Sequence, residues 1–238
     1  FEPTKKYPVI ECVYGGPIQT SVPRVFYAGR TMHALSQLGF IVLAVDNRGT
    51  PERGRAFHEA HAATRRALVP DHVAALAQLG QEHSYMDMRR VGIFGNSHGG
   101  YLTMRALLLA PNVYHVGVSL AGATDRRDNA FNERFFGLPE TNSAGYEFAE
   151  TLRLAPRLKG KLLLGHGTHD TNVGFPQVMR MIEALTKAGK SYDLIILPKA
   201  THSVRREMGQ YFASARVNYF VEHLKPVPAV DVVVPPSD

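Results

Sequence analysis

One short stretch, residues 91–102, constrains the fold of this chain more than any other. It reads VGIFGNSHGGYL, an apolar run that ends in Gly-x-Ser-x-Gly and leads into the helical pattern of residues 101–110. In a nucleophile elbow, a serine sits on a strained turn between a strand and a helix, and the flanking glycines avoid a collision with neighbouring backbone. The stretch therefore predicts a buried strand, an exposed Ser97 and a helix N-terminus that faces a developing oxyanion.

Short apolar runs alternate with helical patterns along the rest of the chain. Strands are predicted at residues 7–14, 40–45, 91–94, 115–120, 161–164 and 192–197. Helices are predicted at 31–38, 54–83, 101–110, 175–188 and 204–224, and 121–156 is less regular. Strands separated by helices indicate an α/β fold with a mostly parallel sheet and helices on both faces.

Two details of this pattern are expectations about boundaries. The helical stretch 54–83 is interrupted at Pro70-Asp71, which suggests two helices with Asp71 near the N-cap of the second. From Pro226 onward the prolines and the lost helical period predict a tail over 226–238, which leaves residues 1–225 as one domain.

Composition excludes several other classes of protein. The chain has 238 residues, 45% of them hydrophobic, which is enough to fill the core of one large domain. Its net charge is +6, but the basic residues are scattered in pairs without a stripe of interleaved aromatics, which disfavours nucleic-acid binding. No apolar run is long enough to span a bilayer. The single cysteine, Cys12, lies in an apolar strand and is expected to be a buried, inert thiol.

The chain begins at Phe1 and has no initiator methionine. We therefore expect it to be a piece of a longer protein. Any signal that decides between a periplasmic, secreted or cytoplasmic location would then lie upstream.

A serine hydroxyl is a weak nucleophile, so Ser97 needs a general base and a carboxylate that orients the base. His202 follows the predicted strand 192–197, and Asp170 follows the predicted strand 161–164. The carboxyl ends of parallel strands meet at one edge of a sheet, so these three side chains are expected to lie together. Their chain order, Ser, Asp, His, is that of the α/β-hydrolase fold.

Other residues compete for these roles. Asp125 and Asp128 follow a different strand and are the alternative acids. His166 and His169 precede the last strand and are interpreted as hydrogen-bonding loop residues.

Two further pairs are interpreted as structural. His58 and His61 have a spacing compatible with a metal, but they lack a Glu-x-x-His partner, so a solvated helix face is favoured and no metal site is expected. Asp46 and Arg48 are expected to form an ion pair that braces the loop after their strand.

Five stretches together resemble the catalytic domain of the prolyl oligopeptidase family of serine peptidases. They are VYGGP at 13–17, DNRG at 46–49, GNSHGGY at 95–101, NERFFGLP at 132–139 and HGTHDTNV at 166–173. The last two resemble the dipeptidyl peptidase IV branch, and the similarity extends to about the last helix. The combination is specific where each motif alone is not.

The resemblance implies a role for each matching residue. By this resemblance the nucleophile is Ser97, and its partners are Asp170 and His202. The oxyanion hole is formed by the Tyr14 hydroxyl and the His98 N–H. Asn172 contacts a substrate carbonyl, and Val173 lines the pocket for the residue before the scissile bond. A phenol held at a strand end by a Gly-Gly-Pro turn is a suitable neutral donor to a developing negative charge. The alternative for Tyr14 is an aromatic ring that only packs the sheet edge.

The stretch that builds the proline pocket in this family reads TDRRDNAF here, at 124–131. Arg127 and Phe131 are its expected substrate-binding residues, and His98 stands where the family usually has tyrosine. We therefore expect a peptidase of short peptides that accepts Ala as well as Pro before the scissile bond. The sequence leaves open whether it trims dipeptides or cuts internally.

The resemblance also implies partners. An upstream β-propeller of the parent chain is expected to cover the site, homo-oligomers are possible, and the chemistry needs no cofactor. A carboxylesterase or lipase on the same scaffold is the alternative function, because acyl-enzyme chemistry serves esters and amides alike.

Overall fold

The computed structural model describes residues 1–23, 30–63 and 68–224 of the chain. Its strands are β1 (Tyr7–Cys12), β2 (Ile41–Leu43), β3 (Met86–Asn96), β4 (Val116–Leu120), β5 (Lys161–Gly167) and β6 (Asp193–Leu197). Its α-helices are α1 (Arg30–Gln37), α2 (Arg55–Ala63), α3 (Leu68–Glu82), α4 (His98–Leu109), α5 (Glu133–Phe136), α6 (Ser143–Ala149), α7 (Phe175–Lys187) and α8 (Arg206–Leu224). The predicted tail, 226–238, lies outside the described residues.

The described strands form one parallel sheet in the order β2-β1-β3-β4-β5-β6. After β1 the chain builds β2 on one side, and it then returns to the other side of β1 to build β3. The strand order therefore reverses between β1 and β3. In open α/β sheets, ligands bind in the crevice at the carboxyl ends of the strands at such a point.

Side chains that alternate along the buried strands fill two cores, one on each face of the sheet. Val9 and Ile93 face the core that includes residues of α3, α4 and α7, whereas Ile10 and Phe94 face the core that includes residues of α1 and α8. Successive residues of a strand point to opposite faces, so near-continuous apolar runs are what a sheet covered on both sides requires. The prediction of helices on both faces is confirmed.

Some boundaries differ from those expected. Strand β3 begins at Met86, whereas the sequence predicted a start near Val91. The apolar pattern misses the first half of the strand because Asp87 and Arg90 are polar. These two side chains bond each other, with Arg90 Nε 2.8 Å from Asp87 Oδ2. Pro70 does not interrupt a helix, since it lies in the first turn of α3, where a missing N–H breaks no helical hydrogen bond. Residues 54–83 do contain two helices, α2 and α3, and Asp71 lies in the first turn of the second, near its N-cap as predicted.

The stretch expected to be irregular, 121–156, contains only the short helices α5 and α6 and three 3₁₀ segments. No helix among the described residues is long and apolar enough to cross a membrane.

Candidate active site

Ser97 occupies the turn between β3 and α4, with φ 59° and ψ −115°. A non-glycine residue rarely adopts a positive φ, and such strain is typical of functional turns. A Cβ on Gly95 would lie 2.4 Å from the Val13 carbonyl oxygen, and a Cβ on Gly99 would lie 2.1 Å from the same atom. The glycines of the motif are therefore needed because β1 passes directly beside the turn.

The structure brings Ser97, His202 and Asp170 into one chain of hydrogen bonds. His202 Nε2 lies 2.8 Å from Ser97 Oγ, and His202 Nδ1 lies 2.8 Å from Asp170 Oδ2. Since the carboxylate only accepts, Nδ1 carries the proton and Nε2 can accept one from the serine. This geometry is what a general base needs in order to activate a hydroxyl group.

Asp170 is held in place from several sides. Its Oδ1 accepts hydrogen bonds from the N–H groups of Asn172 and Val173, both at 2.9 Å. Burial alone raises the pKa of a carboxyl group, but hydrogen bonds from His166, His202 and the Val173 N–H outweigh it and hold the pKa of Asp170 well below its usual range. The carboxylate therefore stays ionised and can stabilise an imidazolium at His202.

The competing residues lie elsewhere. Asp125 accepts hydrogen bonds from Arg127 at 3.0 Å, and Asp128 forms an ion pair with Arg180. His166 was expected in a loop, but it lies in β5, because that strand extends to Gly167. Its Nε2 donates to the Val173 carbonyl oxygen at 2.7 Å.

A cavity of about 260 Å³ opens beside Ser97. Most of the residues that the sequence predicted for substrate contact line it, namely Tyr14, His98, Phe131, Asn172 and Val173. His98 is the first residue of α4, and the first N–H groups of a helix project beyond its N-terminus, where the helix dipole favours negative charge. The cavity thus combines a nucleophile position with donors suited to an oxyanion.

Tyr14 is supported by residues that the motif does not contain. Ser21 Oγ accepts hydrogen bonds from the N–H groups of Tyr14 (3.0 Å) and Gly15 (3.2 Å). Asp46 Oδ1 in turn accepts from the Ser21 N–H at 2.6 Å, and Asn47 Nδ2 donates to the Gly15 carbonyl oxygen at 3.3 Å. The loop after β2 therefore positions the turn after β1.

The expected ion pair between Asp46 and Arg48 is wrong. The Arg48 guanidinium instead bonds Asp71, with Nη2 2.6 Å from Oδ1, because Asp71 lies in the first turn of α3 and faces this loop. Asp46 Oδ1 accepts hydrogen bonds from the N–H groups of Ser21 and Val22. Its Oδ2 lies 3.6 Å from Arg53 Nη2.

Arg127, an expected substrate contact, does not line the cavity. Its guanidinium extends to Asp125 and Glu150 on the outer surface, with Nη2 2.6 Å from the Glu150 Oε2. Its neighbour Arg126 is buried and lines the cavity instead. Nothing in the run Arg126-Arg127 distinguishes the two residues, since the outcome depends on how the 3₁₀ turn after β4 is oriented.

Metal ligation has no candidate cluster among the described residues. His58 Nε2 lies 2.8 Å from the carbonyl oxygen of Pro17, a residue that lines the cavity. The expectation that the His58 side chain is only solvated is therefore wrong. The side chain of His61 lies outside the described part of the chain.

The parallel sheet, the elbow after β3 and the Ser–His–Asp arrangement after β3, β5 and β6 define an α/β-hydrolase. Residues 26–227 match the model of the prolyl oligopeptidase family. The chain belongs to that family.

Relatives and solved structures agree with this assignment. The chain is 34% identical over 232 residues to dipeptidyl peptidase 8 of Mus musculus, covering 94% of this chain and 26% of the relative. A Bacteroides ovatus structure assigned provisionally as a dipeptidyl aminopeptidase IV superimposes with a TM-score of 0.87 at 31% identity, covering 94% of this chain and 32% of the other. Dipeptidyl peptidase 4 of Porphyromonas gingivalis gives 0.82 at 28% identity, with the same coverages of 94% and 32%.

The chain therefore spans about a quarter of the length of the curated relatives it matches, 26% in the mouse and human proteins.

Proposed function

We propose that this chain is the catalytic part of a serine dipeptidyl peptidase that hydrolyses short peptides through an acyl-enzyme. The observation that carries the proposal is the pair of 2.8 Å contacts that join Asp170 to His202 and His202 to Ser97. Family membership and the dipeptidyl peptidases among the relatives support peptides as the substrates.

In the first half of the reaction, His202 Nε2 takes the proton of Ser97 as Oγ attacks the peptide carbonyl carbon. The carbonyl oxygen becomes an oxyanion, which the Tyr14 hydroxyl and the His98 N–H stabilise as donors. The intermediate then collapses and the C–N bond breaks, while His202 gives its proton to the leaving amine. The acyl group remains on Ser97 as an ester.

In the second half, water attacks the ester carbonyl and gives a proton to His202. The ester bond breaks, His202 returns the proton to Ser97, and the acid product leaves. Asp170 orients the His202 ring and stabilises its charged form throughout, and it does not itself take the proton.

Three cavity residues complete the proposal. Asn172 contacts a carbonyl of the substrate, and Val173 and Phe131 form walls for the side chain before the scissile bond. Val173 is 7% exposed and Phe131 44% exposed, which suits a buried wall and a wall at the cavity mouth, respectively.

The alternative, a carboxylesterase or lipase, uses the same covalent chemistry. The relatives favour amide hydrolysis over it. We further propose that another part of the protein, a β-propeller, covers the cleft. The apolar side chains of Ile18 and Phe131 at the cavity support this, being 59% and 44% exposed.

A serine-directed phosphonate tests the chemistry directly. We expect the whole protein to be labelled once in this domain, on Ser97, and Ser97→Ala to lower kcat by about 10⁴ to 10⁶ because the covalent route disappears. His202→Ala should lower kcat about as much. The matched control is Ser36→Ala, which removes an exposed serine on α1 and should change neither labelling nor kcat.

Circular dichroism shows whether each variant keeps its fold. A natively folded Ser97→Ala protein with nearly full peptidase activity would contradict the proposal, and so would labelling that maps to another serine.

A further inference from the structure

Arg126 is a buried cation whose bonding within the described chain is incomplete. Its residue is 7% exposed, and its guanidinium carbon lies 3.8 Å from the centre of the Tyr101 ring. Its Nη2 lies 3.0 Å from His98 Nδ1, whereas its Nε has no hydrogen-bond partner among the described residues. Because arginine only donates, His98 Nδ1 must accept, and the neutral ring then carries its proton on Nε2.

The charges near Arg126 do not neutralise it. Asp125, its neighbour in the chain, and Glu150 are both bonded to Arg127 instead. A second arginine, Arg105, also approaches the Tyr101 ring, at 5.5 Å. Burial lowers the pKa of Arg126, but a guanidinium remains charged at physiological pH.

A buried charge without a counter-ion is costly, and native proteins normally pair such groups. Arg126 lines the same cavity as Ser97, and none of the cavity-lining residues in the described chain is acidic. The other polar groups of the lining are amides, hydroxyls and the His98 ring. Within the described residues the cavity therefore offers one buried positive charge without a carboxylate partner, and a negatively charged ligand would pair it.

The position of the cavity tells which part of a peptide would bring that charge. Arg126 lines the same cavity as Val173 and Phe131, which the proposed function assigns to the side chain before the scissile bond. We propose that Arg126 selects peptides with a carboxylate side chain, Asp or Glu, at the residue whose carbonyl is attacked by Ser97.

This inference rests on the proposed peptidase function. It differs from the expectation that Pro or Ala occupies that position. Arg127 was expected from the sequence to contact the substrate, whereas the structure places Arg126 in the cavity. An arginine fork binds a carboxylate through two parallel hydrogen bonds, whereas Pro or Ala would leave the guanidinium buried and unpaired.

Dipeptide 4-nitroanilides test the preference in the whole protein. Ala-Glu and Ala-Gln substrates have side chains of the same shape, and Ala-Ala and Ala-Pro complete the set. We expect kcat/KM for Ala-Glu to exceed each of the other three by about tenfold to a hundredfold, since hydrogen bonds to a charged group are the strong ones.

Three variants assign the preference to one side chain. Arg126→Met keeps the length of the side chain but removes the charge, and it should abolish the ratio of Ala-Glu to Ala-Gln. Arg126→Lys should restore part of that ratio. Arg127→Met removes the same charge from the next residue, outside the cavity, and should leave the ratio as in the wild type.

The outcomes separate the two proposals. Equal or faster hydrolysis of Ala-Ala or Ala-Pro by the wild type overturns the inference, as does an unchanged ratio in folded Arg126→Met. If none of the amides is hydrolysed, the proposed function fails. Binding of the product dipeptides Ala-Glu and Ala-Gln to Ser97→Ala, measured by calorimetry, then decides the specificity separately, with equal affinities overturning it.

Discussion

Tyr14, the proposed oxyanion donor, shows how much a single side chain depends on its surroundings. Its N–H and that of Gly15 share one acceptor, Ser21 Oγ, and Ser21 is itself held by Asp46. The phenol is thus carried on a turn with few ways to move. A preorganised donor stabilises a developing charge without reorganising during the reaction, which is where its catalytic value lies.

Removing the phenolic hydroxyl should therefore slow the reaction without preventing it. We expect Tyr14→Phe to lower kcat by about 10²–10³ and to change KM much less, because the hydrogen bond strengthens as the oxyanion forms. The matched control is Tyr7→Phe, at the opposite end of β1, where the hydroxyl accepts from the Glu2 N–H at 2.8 Å. Steady-state kinetics of both variants measure the difference, and equal kcat values for wild type and Tyr14→Phe would show that the ring only packs the sheet edge.

The pH dependence of the same hydroxyl has a definite sign. Burial raises the pKa of Tyr14 above its ordinary value, although the positive charge of Arg126 opposes the effect. The donor form is the protonated form, so it persists throughout neutral and mildly alkaline pH. Between about pH 7 and 9 we therefore expect ionisation of Tyr14 to cause no decline in kcat, so that the kcat profiles of the wild type and of Tyr14→Phe have the same shape. A kcat decline in that range that disappears in the variant would contradict this assignment.

At the scale of elements, a buried polar network joins α3 to β1, the strand that precedes Tyr14. The His72 Nδ1 lies 2.5 Å from Glu11 Oε1, and Tyr114 donates its hydroxyl to Glu11 Oε2 at 2.7 Å. His72 Nε2 lies 3.1 Å from Asn47 Oδ1, so the network continues into the loop that supports the turn after β1. Glu11 and His72 are 0% and 1% exposed, so water cannot replace a missing partner.

Breaking this network should destabilise the fold more than an ordinary core substitution. We expect His72→Leu to lower the free energy of unfolding by about 3–5 kcal/mol, since it removes one partner of a buried carboxyl group. The double variant Glu11→Gln/His72→Leu should recover part of the loss, because the neutral amide still offers an acceptor to Tyr114. Urea titration of the four members of the cycle gives the coupling. Additive effects of the two substitutions would contradict it.

At the scale of the whole molecule, two large apolar side chains that line the cleft remain exposed. Ile18 is 59% exposed and Phe131 is 44% exposed. Contiguous exposed apolar surface commonly marks an interface. The proposed covering domain would bury this surface and would also contact parts of the peptide far from the scissile bond.

Such remote contacts support the chemical step, so their loss should affect a demanding substrate most. We expect residues 1–238 expressed alone to hydrolyse small activated esters better than dipeptide amides, whereas the whole protein hydrolyses both. The comparison is kcat/KM for one ester and one dipeptide amide on each protein, with circular dichroism and light scattering to establish folding and association. If the isolated chain cleaves the amide as fast as the whole protein, the covering domain contributes nothing to catalysis.

Much of this organisation follows from local sequence alone. Apolar runs of strand length separated by helical periods imply a parallel sheet covered on both faces, because each pattern is a property of neighbouring residues. The placement of Ser97, Asp170 and His202 at one edge follows from the same pattern, since each residue lies in the connection that follows a strand and parallel strands end together. Their hydrogen-bonding distances agree with that reasoning.

The tertiary structure alone decided which of two adjacent arginines enters the cavity and which residues support Tyr14. Arg126 and Arg127 have the same chemistry and adjacent positions, so only the orientation of the turn after β4 sends one inward and the other to Glu150. Ser21 and Asp46 come from separate loops and meet because β1 and β2 are neighbours in the sheet. Contacts between distant segments depend on packing, which no local pattern records, and the side chains proposed to set specificity here are held by such contacts.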